Sequence, residues 1–177
     1  FPLASGYSAN TSAEMTVISG RTHRENLDEY YPLLTEAILQ PAFTQSDLER
    51  IRSQVLNFLE NELRYASDED LGKAVLYNTV FAGTPYGHIT AGTIAAVKSI
   101  TVDDVRAFYR THYTRENLRI GLGGGYDAAL VDRLTRDLDA LPAGAPAPVP
   151  APAPPPERGI HVPNGEKDPP PNANRKG

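Results

Sequence analysis

From Pro142 the chain reads P-A-G-A-P-A-P-V-P-A-P-A-P-P-P, a composition that favours extended polyproline II and offers no apolar face to a core. The 177-residue sequence holds sixteen prolines, and their concentration at this end confines the folding portion to residues 1–142. Residues 143–157 form an Ala/Pro-rich linker on this reading. Residues 158–177, polar and rich in Pro, Asn and Lys, are expected to be a disordered tail. At 40% hydrophobic residues the remainder suffices for one core.

Within that portion, helix starts recur as capping boxes, in which a hydroxyl takes the N3 amide and the N3 acid reaches back to the cap amide. Ser46 with Glu49, Ser67 with Asp70, and Thr101 with Asp104 fit the pattern. After the first box, Leu48, Ile51, Val55, Leu59 and Leu63 mark one stripe of a helix running to about Ala66. The second opens a helix with Leu71, Ala74, Val75 and Val80, which Gly83 ends in a positive-φ conformation. The third precedes Val105, Phe108 and Tyr109. Thr93 starts a short helical turn over Ile94 to Val97, and Asp127 caps a helix with Leu130, Leu134, Leu138 and Leu141.

Near the N-terminus, Asn26 or Asp28 caps a helix with Leu27, Tyr30, Tyr31, Leu34, Ala37 and Ile38, which Pro41 stops. Pro32 fits only if that helix starts late, near Asp28, where a missing N–H costs little. Two segments alternate instead: Ser12 to Thr22, expected as a strand with one buried face, and Asn117 to Gly123, with Leu118, Ile120 and Leu122. Two strands flanking several helices predict the α+β class. Tyr30, Tyr31, Phe58, Phe81, Phe108 and Tyr109 are read as core residues.

Several function classes drop out. A net charge of −5 with no basic run argues against a nucleic-acid partner. The lack of cysteine excludes disulfides, thiolate catalysis and cysteine-held zinc. No apolar stretch approaches the roughly 20 residues that span a bilayer, so no membrane partner is expected. The first residues show no basic-then-apolar signal pattern, and a chain that begins at Phe1 is expected to be a piece of something longer. G-L-G-G-G-Y, at residues 121–126, breaks the dinucleotide-binding pattern at Tyr126. His88, in a loop, and His112, late in a helix, are read as ordinary polar residues, and the acidic pairs as helix-start charges.

Four segments taken in order carry a resemblance: I-L-Q-P-A-F-T-Q-S-D-L-E-R (38–50), D-E-D-L-G-K (68–73), T-P-Y-G-H-I-T-A-G-T (84–93) and S-I-T-V-D-D-V-R-A-F-Y-R-T-H-Y-T-R-E-N-L (99–118). Their order and spacing resemble peptidase family M16, the pitrilysin, insulinase and mitochondrial processing peptidase group, over roughly Ala13 to Leu141. The resemblance implies an incomplete M16 half: a mixed or antiparallel sheet with several packed helices. It also implies zinc endopeptidase chemistry, in which H-x-x-E-H on one helix supplies two imidazoles and a base, and a downstream glutamate completes the site.

The four histidines here are His23, His88, His112 and His161, no two within a helical turn, so H-x-x-E-H is absent. In the family the motif lies further upstream of the third ligand than Phe1 lies from Glu60, so truncation accounts for the absence as well as degeneration does. The resemblance leaves the third zinc ligand on Glu60 or Glu62. Counting back from the segment Leu71 to Pro85 points to Glu60; the flanking apolar pattern favours Glu62. On a 100° wheel Glu62 falls within the apolar stripe and Glu60 on its polar margin. A lone carboxylate holds zinc poorly, so this chain alone is expected to bind none and to be inactive.

The implied partners are a peptide substrate and a second M16 half. Three functions follow: a fragment of a zinc endopeptidase, a non-catalytic half acting as scaffold and peptide-binding partner, or, outside the family, a helical interaction module with a Pro-rich tail that docks in an aromatic groove. Similarity to bacterial relatives implies a periplasmic or secreted location, with the cytoplasm as the alternative. The family also implies a strand after the linker, yet G-I-H-V-P-N-G-E-K-D-P-P-P is too rich in proline for a central strand.

Overall fold

A computed structural model of the chain describes residues 5–66, 68–145, 148 and 159; Ser67 and nearly all of the expected linker and tail lie outside the described residues. The described chain is mostly helical with one two-stranded antiparallel sheet, the α+β class expected. Its described residues divide into two compact units: one built from the residues up to Gln45 and from 101–148, the other from Ser46–Ile100 with residue 159.

The first unit opens with a hairpin, β1 (Gly6–Thr11) and β2 (Thr16–Arg21), paired from Thr11↔Thr16 to Gly6↔Arg21. Ser12 builds the turn between them. Its hydroxyl accepts from the amides of Glu14 (3.3 Å) and Met15 (3.2 Å), while its own amide donates to Met15 O at 2.9 Å. The strand expected over Ser12 to Thr22 is therefore half turn and half strand. The buried face expected of it is absent too: Ile18 alone of β2 is half-buried. Its partner β1 escaped the sequence reading because G-Y-S-A-N-T carries no apolar alternation.

A 3-10 turn (Arg24–Asn26) leads into α1 (Leu27–Leu39). Asn26 holds the cap position, although its side chain makes no cap hydrogen bond. Pro32 sits inside the helix, past its first turn, which corrects the expected late start. The helix forgoes the bond from that position and keeps its geometry through packing, since Tyr30, Tyr31 and Thr35 are all buried. Tyr30 docks the hairpin, its hydroxyl donating to Gly6 O at 3.1 Å. A Cβ at Gly20 would collide with that same hydroxyl, so close approach requires the glycine.

The second face of α1 meets α6 (Ala128–Leu138). Tyr31 donates to Asp137 Oδ2 at 2.8 Å, and the Arg133 guanidinium lies 4.0 Å from the centroid of its ring. Asp127 caps α6 as its position predicts, accepting from the Leu130 amide at 3.0 Å. The same unit holds α5 (Val102–His112), opened by the full Thr101/Asp104 box. Tyr109 ties it to α1 by donating to Ile38 O at 2.6 Å.

The strand expected over Asn117 to Gly123 does not form. A 3-10 turn (Arg115–Asn117) precedes it, and residues 118–123 pair with no strand among the described residues, leaving Ile120 and Leu122 exposed. Phe58 and Phe108 are likewise exposed rather than core.

The second unit holds α2 (Gln45–Asn57), α3 (Asp68–Val80) and α4 (Ile94–Ser99). Because α2 begins at Gln45, Ser46 lies within its first turn instead of at the cap. Gly83 follows α3 at φ 78°, as its placement predicts, and Thr93 caps α4 by accepting from the Ala96 amide at 3.2 Å. Leu59 and Val97 are its buried apolar residues.

Burial pushes the Tyr31 hydroxyl up to about 12, with the hydrogen bond to Asp137 acting in the same direction. A folded-state value above the unfolded 10.0 leaves stability intact below pH 10.0 and removes it as pH rises through about 12. Tyr31→Phe is expected to flatten that alkaline decline, measured by urea unfolding across the window, and to cost about 1–3 kcal/mol at neutral pH. An unchanged slope would move its origin to Tyr30 or Tyr109, which burial also raises.

Candidate functional site

Glu60 and Glu62 sit where α2 changes character. It passes directly into a π-helical segment, Phe58–Ala66, so helical structure reaches Ala66 as expected but with wider turns. Hydrogen bonds from i to i+5 rotate successive residues by less than 100°, and a 3.6-residue wheel fails beyond Asn57. The two glutamates exchange their expected places. Glu62 is exposed and Glu60 half-buried, beside the buried Leu59.

Each carboxylate has a partner. Glu60 Oε1 accepts from Lys98 Nζ at 2.9 Å, and Glu62 Oε1 from Asn57 Nδ2 at 2.9 Å. Lys98 lies in the last turn of α4, whose C-terminal carbonyls also receive Arg52: Nε donates to Val97 O at 3.2 Å and Nη2 to Ile100 O. Two cations at a helix C-terminus suit its dipole, and together they fasten α4 to the α2–π segment. Sequence reasoning missed Lys98 and Arg52. Their partners lie 38 and more residues away, and no local pattern announces them.

These residues do not by themselves fit a zinc ion. Among the described residues no three histidine or acidic side chains converge, and the half-buried carboxylate is already paired with an ammonium. His88, exposed, has Nδ1 3.2 Å from Ile89 O. His112 packs at a tilt against Phe108 with ring centroids 4.4 Å apart, and His23 accepts from the Glu25 amide at 3.4 Å. His161 lies outside the described residues. The glycine run before α6 is exposed, with Gly124 at φ 110°.

The first unit also carries an open cleft of about 470 Å³, lined by residues 42–45 with Thr101, Val102, Asp103 and Arg106. At its edge Phe43 adopts φ 44°, a strained conformation for a bulky residue. Its ring packs edge-on against Tyr109 at 5.4 Å, and Arg106 reaches its carbonyl at 3.4 Å. The cleft's polar groups largely serve one another: Arg106 pairs with Asp103 at 3.2 Å, and Thr101 with Asp104.

Comparison with known proteins gives these elements a context. Residues 99–174 match the family description "Peptidase M16 inactive domain". A Helicobacter pylori protein named "Non-peptidase homolog YmxG" is 32% identical over 137 residues, 76% of this chain and 31% of that protein. The mitochondrial-processing peptidase subunit beta of Caenorhabditis elegans is 24% identical over 117 residues, 66% of this chain and 25% of that one. Among solved structures, the peptidase M16 inactive domain from Pseudomonas fluorescens superposes with a TM-score of 0.74 at 22% identity, covering 84% of this chain and 36% of that one. The chain belongs to peptidase family M16. It spans about a third or less of the curated relatives it matches.

The ion pair between Glu60 and Lys98 is partly exposed, so its coupling should be small, roughly 0.2–1 kcal/mol. A double-mutant cycle of Glu60→Gln and Lys98→Met, read by chemical unfolding, measures it. Arg52→Ala should cost more than either, because it leaves two carbonyls at the end of α4 without their donor.

Proposed function

We propose that this chain is part of a non-catalytic M16 half, serving as scaffold and peptide-holding partner to a second half. The observation that carries the reading is the engagement of Glu60 by Lys98, which gives the better-placed candidate ligand a structural task in the second unit. The family description of an inactive domain and the name of the Helicobacter pylori relative support it. The folding portion is read as ending near Pro142, with Leu141 buried just before it and Gly144 still packed against Thr114 just after.

A second reading keeps the parent protein as a zinc endopeptidase, with Glu60 or Glu62 as third ligand to histidines outside this chain. The relatives named as processing peptidase subunits favour it. Both readings take a peptide substrate and a second M16 half.

Replacing both carboxylates, Glu60→Gln with Glu62→Gln, in the full-length parent separates the two. The non-catalytic reading expects peptide hydrolysis and zinc content to remain within about twofold of the unmodified protein. A loss of 100-fold or more together with zinc release would assign the ligand role.

A further inference from the structure

The root of the Pro-rich stretch is gripped by the turn that follows α5. After α6 the chain closes on itself, Leu141 N donating to Leu138 O at 3.0 Å, and both leucines are buried. The end of α6 and its continuation meet Arg115 and Glu116 at three points. The Arg115 amide donates to Pro142 O at 3.1 Å, the Gly144 amide donates to Glu116 Oε2 at 2.6 Å, and Arg115 Nη1 lies 3.4 Å from Asp139 Oδ1.

Shape matches these bonds. Thr114 is only 3% exposed, and a Cβ at Gly144 would stand 2.5 Å from its Cγ2 and 2.9 Å from its Cβ. Glycine is therefore required here for space. The Thr114 hydroxyl is buried with no hydrogen-bond partner among the described residues, a cost accepted where two backbones are pressed together. The Gly144 amide is also the main cause that holds the Glu116 carboxyl below its usual range.

We propose that Thr114, Arg115 and Glu116 clasp residues 142–144, so that the root of the Ala/Pro-rich stretch is held at a fixed point of the first unit. The clasp belongs to this chain's own geometry and holds whichever M16 reading is correct.

The chain has no native cysteine, so a nitroxide pair at Asp132→Cys and Ala145→Cys, both in the first unit, reports the position of that root by spin-label distances. Amide exchange at Gly144 reports the grip. The clasp predicts a single narrow distance distribution and exchange at Gly144 at least about tenfold slower than for an unstructured amide. Glu116→Ala should abolish the slowing and broaden the distribution, Gly144→Ala should broaden it as well, and Glu116→Gln, which keeps an acceptor, should restore most of both. The same broad distribution in the native chain and every variant, or unprotected exchange at Gly144 in the native chain, would overturn the proposal. Unchanged near-ultraviolet circular dichroism identifies the variants that remain folded, and Glu116→Gln supplies the comparison if Gly144→Ala does not.

Discussion

Shortage of burial governs this structure. Among the described residues the buried apolar side chains are Tyr30, Tyr31, Leu59, Val97, Leu138 and Leu141, and no large side chain falls below 2% exposure. Meanwhile α3 exposes Val75, Leu76, Tyr77 and Val80, and the segment after α5 exposes Ile120 and Leu122. Each such side chain forgoes a part of the about 1.5–3 kcal/mol that full burial of an exposed apolar side chain supplies. A two-stranded hairpin is marginal without further strands or a helix against it. These open faces fit a chain that spans about a third of its relatives, and the proposed reading assigns their covering to the remainder of the protein.

With little core, polar tips of buried or half-buried rings and long cations do much of the joining. Tyr30 reaches the hairpin, Tyr31 reaches α6 and Tyr109 reaches α1, each burying an aromatic body while its hydroxyl meets an oxygen. Arg52 and Lys98 do the same for α4 in the second unit. Directional bonds of this kind specify which elements meet, and Glu60 belongs among them. Its role as a brace requires only the ammonium opposite it.

Legibility followed range. Thr93, Thr101 with Asp104, Asp127 and Gly83 were all readable because each acts within three or four residues along the chain. The family was readable from four short segments in order. The interior placement of Pro32 depends on packing 106 residues away, through Tyr31 and Asp137, and local rules could only argue against it. The π segment was hidden for another reason: F-L-E-N-E-L-R-Y-A satisfies a 3.6-residue stripe well enough that nothing in it demands wider turns. That single change reversed the expected burial of Glu60 and Glu62.

Leu118, Ile120 and Leu122 illustrate the converse, an alternating pattern with no partner to pair with among the described residues. If the rest of an M16 half covers this chain, backbone amides of residues 118–123 should exchange freely in the chain by itself and become strongly protected in the full-length parent. Hydrogen exchange followed by mass spectrometry on both proteins measures this. Protection appearing only in the parent is the result the account predicts; amides equally unprotected in both, or already protected in this chain alone, would contradict it.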